Sequence, residues 1–519
     1  MLNPIIFIYL EPSLDKGGSK VYGNIDGYFM HLILKNMSSL RKNFVYNSIL
    51  TCSTYIFPLL VFPYVTRILG VHNLGVCNFV DSIIQYFILF SFLGMQTMAT
   101  REIAKVKNTP EKLKQTFSSL LSLNMISTIL AILVLFFVVL LVPKLYSYKE
   151  LLFIGSAKIL ANTLLVEWFF VGTENFKYIT IRSLIIRFLY ILSVFFFVNN
   201  ADDYIVYFTL TILMFVVNAI VNTFYLRRFV SFSFKNVKIK KYLRPFLILG
   251  GYQILTSMYT SFNVAYLGFV SGETEVGYYT VATKIFTILL GIFTAFTSVM
   301  LPRMSSLFEN GMKEEFKNKV SSSIDALLCL SSPIITIAIA FAPTIISIVA
   351  GDGYQGAIFP LRIIMPLMLI VGYEQILVLQ ILTPMNKDNA ILKNSIAGAL
   401  IGVILNLILV KSYGKVGSSL VWVFSELSVL IMAQYYVYKY LNLSFPYKKY
   451  FVYITCSLPV LFFILALSYY WGQTFETLIV ASICVLCYYF VCYTYLIRNQ
   501  HAIYIKNFFK NKMLNSKKN

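Results

Sequence analysis

Fourteen apolar stretches, each about as long as a helix needs to cross the hydrocarbon core of a bilayer, recur along this chain of 519 residues. They fall at about 44–66, 78–99, 117–142, 151–171, 179–198, 205–225, 246–270, 279–300, 324–349, 361–382, 393–410, 418–438, 450–470 and 475–497, spans 1 to 14 in chain order. Splitting 324–349 at Pro333 or Pro343 leaves pieces too short to cross. The longest connections, 226–245 and 301–323, leave no room for a soluble domain. Composition agrees: 58% of residues are hydrophobic and 13% charged, against about 25% charged in soluble domains. A mean hydropathy of +0.75 excludes disorder as well. The chain reads as an all-α polytopic membrane protein with about fourteen transmembrane helices.

A formal charge of +21 would suggest nucleic acid in a soluble protein. Placement decides otherwise. With the first segment cytoplasmic, and with Arg182 and Lys393 at the inner span edges counted with the loops beside them, 34 of the 43 Lys and Arg fall in inside segments, 5 in outside loops and four within spans. That bias puts both termini in the cytoplasm and argues against a nucleic-acid partner. Acids gather on the other side, as in Asp202–Asp203 and Glu273–Glu275. The strongest basic run, from Arg227–Arg228 to Arg244, separates spans 1–6 from spans 7–12 and reads as an anchor beside anionic lipid.

The expected organisation is a cytoplasmic extension at 1–43, an N-lobe at 44–225, a basic linker at 226–245, a C-lobe at 246–440, two further helices at 441–497 and a basic tail at 498–519. Met1–Leu10 lacks the basic start and apolar core of a signal peptide, and Met37 or Met30 reads as the true start. A weak repeat with an offset of 202 residues sets Gly75–Arg101 beside Gly277–Arg303. Six spans per unit give both units one orientation, hence a pseudo-twofold axis along the membrane normal, with substrate between the halves.

Several motifs dissolve on inspection. Cys484-x-x-Cys487 lies mid-span without a second pair, as apolar filler. The histidines His31, His72 and His501 lie outside the spans, which argues against a buried metal. Gly351-Asp-Gly353-Tyr-Gln-Gly356 spells a dinucleotide fingerprint but sits in an outside loop with no strand before it. No GxxxxGK[ST] loop is present, which argues against direct drive by ATP. Pro58 and Pro63 in span 1 and Gly250–Gly251 in span 7 mark either static bends or points of movement.

Charges inside the hydrocarbon are costly and functional by default. The cations are Lys158 in span 4, Arg187 in span 5, Lys284 in span 8 and Arg362 at the outer end of span 10, with Arg67 ending span 1. The acids are Asp81, Glu167, Glu374 and Glu426. Two readings compete. Glu167, Arg362 and Arg67 snorkel to the interface while Lys158 pairs structurally with Asp81 or Glu426. Alternatively the cations line an internal cavity that attracts an anionic head group. Gln85, Gln253, Asn263, Gln375 and Gln380 would suit a sugar-lined path.

Phe62-Pro-Tyr-Val-Thr-Arg67-Ile-Leu-Gly70, then Gly75 and Thr100-Arg101-Glu102-Ile-Ala, resemble the opening of bacterial polysaccharide flippases. These are the O-antigen and capsule exporters of the Wzx type, in the multidrug/oligosaccharidyl-lipid/polysaccharide exporter superfamily. Glu167-Trp168 through Arg182, Gly277-Tyr-Tyr-Thr-Val-Ala282, Pro302-Arg303, Gly351-Asp-Gly-Tyr354 and Pro360-Leu-Arg362 extend the resemblance, in order, over about residues 44–440. It implies two six-helix lobes around a cavity, with two helices appended. It also implies a cargo, an oligosaccharide repeat unit on undecaprenyl pyrophosphate moved across the bacterial inner membrane by alternating access. The motif arginine carries over onto Arg67 as a substrate contact, beside Lys158, Arg187, Lys284 and Arg362. Coupling to a proton or sodium gradient would fall to Asp81, Glu374 or Glu426, with no other cofactor. Membrane lipids and polysaccharide polymerase or assembly proteins are the implied partners. The rival readings are a cation-coupled multidrug antiporter of the same superfamily and a membrane glycan polymerase. The short outside loops speak against the polymerase, and the chain reads as no enzyme.

Overall fold

The computed structural model describes residues 25–233, 237–258 and 261–497, with Asn499 and Ile503. The expected start at Met30 or Met37 concerns residues whose side chains are not described, and Met1–Leu10 and most of the basic tail lie outside the described residues.

Every regular element among the described residues is a helix. Ten helices are long and apolar enough to cross a membrane, and a pair bent by 44°, Gln355–Ile364 with Leu367–Leu382, makes an eleventh. Two of the ten, Val45–Val106 with 62 residues and Asp388–Leu441 with 54, are too long for one crossing. Each breaks at a glycine in a conformation L side chains avoid, Gly70 at φ 71 and Gly414 at φ 51. These breaks join spans 1 and 2 and spans 11 and 12. Span 7 is carried by two shorter helices, Ile239–Ser257 and Ser261–Ser271. Every expected span thus has its helix. Pro58 and Pro63 leave span 1 helical, and the break in span 7 lies beyond Gly250, which is pressed against Leu93.

The repeat is visible as contacts. A Cβ on Gly75 would fall 1.9 Å from the Glu273 carbonyl oxygen, and one on Gly277 would fall 2.2 Å from that of Val71. His72 Nδ1 lies 3.3 Å from Thr274 Oγ1, and Asn78 Nδ2 donates to Thr280 Oγ1 at 3.2 Å, each pair 202 residues apart. Residues meeting their own repeat partners, with reciprocal contacts on either side, are the mark of a twofold axis. It runs between spans 2 and 8, and the two glycines let the backbones touch there.

The apolar core shows how the lobes meet. At the end away from the basic loops one cluster takes in Val65, Phe79 and Leu151 of the N-lobe together with Phe286, Leu361 and Val421 of the C-lobe. At the basic end the core divides. Leu120 and Phe169 pack with Phe246 of span 7, whereas Met304 and Phe316 pack with Tyr436 and with Tyr453 and Tyr489 of the last two spans. The lobes therefore share one core at the far end, while at the basic end the core splits in two, the N-lobe part taking in the start of span 7. Spans 13 and 14 dock on span 9 through a buried hydroxyl chain: Tyr489 donates to Ser457 at 2.7 Å and lies 2.8 Å from Thr336.

Candidate functional site

The first cluster lies between the lobes. Lys158 is buried in span 4, and its Nζ donates to Asp81 Oδ1 of span 2 at 2.5 Å while lying 4.8 Å over the Phe215 ring. An acid and an aromatic face thus replace the water this ammonium lost. Asp81 keeps 39% of its side chain exposed. From the other lobe, half-buried Lys284 of span 8 interacts electrostatically with the same carboxylate. It has no hydrogen bond or ion pair of its own among the described residues. One aspartate between two lysines leaves net positive charge on the seam. Of the two partners open to Lys158, it is Asp81 that it meets.

The second cluster stands around a break in span 4. Val166, a β-branched residue, sits in the left-handed region at φ 40 between helices Lys149–Leu165 and Glu167–Gly172. The Leu165 carbonyl freed by the break accepts from Asn222 Nδ2 of span 6. Asn222 Oδ1 in turn accepts from Arg182 Nη1, and Arg182 Nη2 pairs with Glu167 Oε1 at 2.8 Å. Arg187 lies within electrostatic reach of both charges and donates from Nη1 to Ser53 Oγ of span 1. Arg182, near the inner edge of span 5, is not among the charges assigned to the hydrocarbon from the sequence, yet its side chain is 4% exposed. Its spacing from Glu167 within the motif is the available signal.

The third cluster is acidic and belongs to the C-lobe. Glu374 of span 10 and Glu426 of span 12 stand close enough for their carboxyls to interact. Two carboxyls so placed are best accommodated when a proton or a cation is shared between them. Trp422 Nε1 donates to Glu426 Oε1 at 2.9 Å, and a π-helical stretch, Ile376–Leu382, follows Glu374 directly. Irregular turns of this kind concentrate at working sites. Gln375 is tied to Thr294 at 3.1 Å and Thr297 at 3.2 Å, and Asn263 donates to Tyr279 at 2.9 Å and to the Ser418 carbonyl at 2.7 Å. Gln380 is buried, whereas Gln85 is exposed.

Arg67 and Arg362 join none of these clusters. Arg67 donates to the Pro63 carbonyl at 2.9 Å and, across the seam, to the Ser347 and Ile348 carbonyls at the end of span 9. Arg362 donates from Nε to the Ile339 carbonyl at 3.0 Å. Both neutralise carbonyls at helix ends, where cations are favoured. Around Arg67, Thr66 Oγ1 donates to the Val349 carbonyl at 3.2 Å, the Tyr354 hydroxyl donates to the Thr66 carbonyl at 3.1 Å, and Lys144 pairs with Glu273 at 3.2 Å. Burial pushes the Glu273 carboxyl up, but its backbone amide, the Tyr148 hydroxyl and Lys144 outweigh that and hold it below the usual range.

Two helical lobes, joined at one end around an axis and carrying cations on the seam, define a polytopic membrane transporter. The inward closed conformation of the lipid II flippase MurJ shares the fold at a TM-score of 0.74 and 16% identity, covering 88% of this chain and all of that one. An inward-facing multidrug resistance MATE family transporter of the MOP superfamily follows at 0.57 and 15% identity, covering 73% and 92%. The family model described as polysaccharide biosynthesis protein matches residues 40–308, and the chain belongs to that family. A putative O-antigen transporter of Escherichia coli K12 is 26% identical over 403 residues, 75% of this chain and 95% of that protein. A probable low-salt glycan biosynthesis flippase of Haloferax volcanii is 23% identical over 220 residues, 42% of this chain and 45% of that protein. These matches bear out the resemblance to polysaccharide flippases.

Proposed function

We propose that the chain flips lipid-linked oligosaccharide repeat units, carried on undecaprenyl pyrophosphate, from the inner to the outer leaflet of the bacterial cytoplasmic membrane. The basic loops and both termini face the cytoplasm, so the far end faces out. The observation that carries this reading is the seam cluster: Lys158 pairs with Asp81, and Lys284 of the other lobe stands within electrostatic reach of the same carboxylate. A pyrophosphate entering from the basic end meets Lys284, which makes no hydrogen bond among the described residues, and competes with Asp81 for Lys158. The glycan rides between the lobes while the lipid tail stays in the bilayer. Parting of the far end around spans 2 and 8 then completes alternating access. Glu374 and Glu426 hold the proton whose movement drives the cycle, and a sodium ion on the same carboxylates is the other form of coupling.

The reading is tested by deleting the gene and following labelled undecaprenyl-linked glycan, which is expected to accumulate on the inner leaflet. Complementation with Lys284→Ala, which breaks no hydrogen bond or ion pair among the described residues, is expected to lower flipping roughly tenfold at unchanged membrane level. Normal surface glycan with raised drug sensitivity would overturn the reading in favour of a multidrug antiporter.

A further inference from the structure

The Gly351–Gly356 segment, which mimics a nucleotide loop by its letters, lies at the mouth of a separate cleft at the far end. This cleft of about 360 Å³ falls within the about 300–1,000 Å³ usual for small-molecule sites. Its lining includes Thr344 and Ser347 of span 9, Asp352 and Gln355 of the loop, and Gln473 and Phe475 from the turn between spans 13 and 14. Gly351 and Gly353 both sit at positive φ, 86 and 87, so the loop carrying Asp352 folds tightly. A Cβ on Gly351 would fall 2.8 Å from Arg67 Cγ, so the arginine that clasps the end of span 9 lies against the same loop. Thr344 Oγ1 donates to Gln473 Oε1 at 2.9 Å and Gln473 Nε2 donates to the Ala340 carbonyl at 3.3 Å, fixing that amide in place. Asp352 and Gln355 are exposed, and among the described residues their side chains make no hydrogen bond. Phe475 is 59% exposed, and its ring pairs with no other ring among the described residues.

We propose that this cleft is a saccharide-binding site, resting on the flippase reading given above. A carboxylate and an unengaged amide offer acceptors and a donor side by side, which is what neighbouring hydroxyls of a sugar ring require. An exposed aromatic face beside them takes up the ring's C–H side. The other candidate chemistries fit worse. Asp352 repels an anionic head group, and Asp352 with Gln355, unpaired among the described residues, would be desolvated by a hydrocarbon chain even though Ile346, Ile348 and Ile358 also line the cleft. The cleft stands where a glycan leaving the seam arrives, and spans 13 and 14 gain a role there, since they bring Gln473 and Phe475 to it.

The test uses the full chain in lipid nanodiscs. The probe is the reducing oligosaccharide that mild acid releases from the lipid-linked glycan of the cells carrying the gene, with binding read by saturation-transfer NMR. Wild type is expected to bind it. Phe475→Ala and the double variant Asp352→Ala/Gln355→Ala are expected to weaken binding roughly tenfold, while Phe475→Trp preserves it. Undecaprenyl phosphate without sugar is expected not to compete. Competition by that lipid, or equal binding by wild type and all variants, would overturn the site. So would loss of binding in Lys284→Ala with retention in Phe475→Ala, which would move the sugar to the seam. Flipping by the wild type is measured in proteoliposomes from the same preparation. Its absence sinks the flippase reading, whereas flipping without cleft-dependent binding sinks only the cleft.

Discussion

The two lobes repeat a backbone plan and divide its buried charge unequally. At the seam they are alike, with Gly75 and Gly277 in reciprocal contact and residues 202 apart facing each other. Inside they differ. The N-lobe buries Lys158 and Arg182 and half-buries Arg187, against Asp81 and Glu167. The C-lobe answers with two neighbouring carboxyls, Glu374 and Glu426. Symmetry copies the scaffold at the axis, whereas the charge placed in each half differs. A cationic half suits an anionic cargo, and an acidic half suits a coupling ion.

The largest effect is expected where the N-lobe's charge holds its own backbone. Arg182→Ala strips Asn222 and Glu167 of their partner beside the strained Val166. Removing one member of a buried pair usually destabilises by about 3–5 kcal/mol. Arg182→Ala is therefore expected to fall sharply in membrane level and melting temperature, and Arg182→Lys, which keeps charge but loses the planar fork, to fall partway. A wild-type melting temperature for Arg182→Ala would mean that the network does not hold the break, and that the N-lobe cations are free for substrate alone.

That arginine also marks how far the sequence can be read. Apolar length yields every span, and the cost of charge in hydrocarbon singles out Lys158 and Asp81, because both signals are local. Arg182 escapes them because an arginine near the inner edge of an apolar stretch ordinarily reaches water, and its burial depends on Glu167 and on Asn222 of span 6, partners that apolar length does not encode. Resemblance makes Arg67 a cavity cation, yet its guanidinium goes to carbonyls of span 9, some 280 residues away. No periodicity encodes a partner at that distance. Gly75 and Gly277 are visible as a thin repeat, but that they meet at the axis follows only from the packed backbone.

A smaller effect addresses the likeness of the lobes. Gly75→Ala and Gly277→Ala each push a methyl into a backbone carbonyl of the other half, and such overpacking typically costs about 1–3 kcal/mol. Each is expected to loosen the far-end seam to a similar degree. In a cysteine pair made by Asn78→Cys and Thr280→Cys, disulfide formation on mild oxidation is expected to slow equally for both. A slow crosslink for one glycine alone would show that the seam is not mechanically symmetric, whatever its geometry.

The smallest effect addresses the difference between the lobes, because it leaves the fold in place. Glu374→Gln supplies an amide N–H to Glu426, so the contact between spans 10 and 12 survives without a shared proton. Membrane level and melting temperature are expected to stay near wild type. Flipping in proteoliposomes driven by a proton gradient is expected to drop by roughly tenfold, about 1.4 kcal/mol, toward the rate seen with no gradient. Lys284→Ala provides the contrast: on the proposed function, where Lys284 meets the cargo, it is expected to lower the rate with and without the gradient. If Glu374→Gln responds to the gradient as wild type does, the carboxyl pair is packing and the acidic half has no coupling role. If instead Lys284→Ala loses only the gradient response, cargo and coupling share one site on the seam, and the division between the lobes collapses.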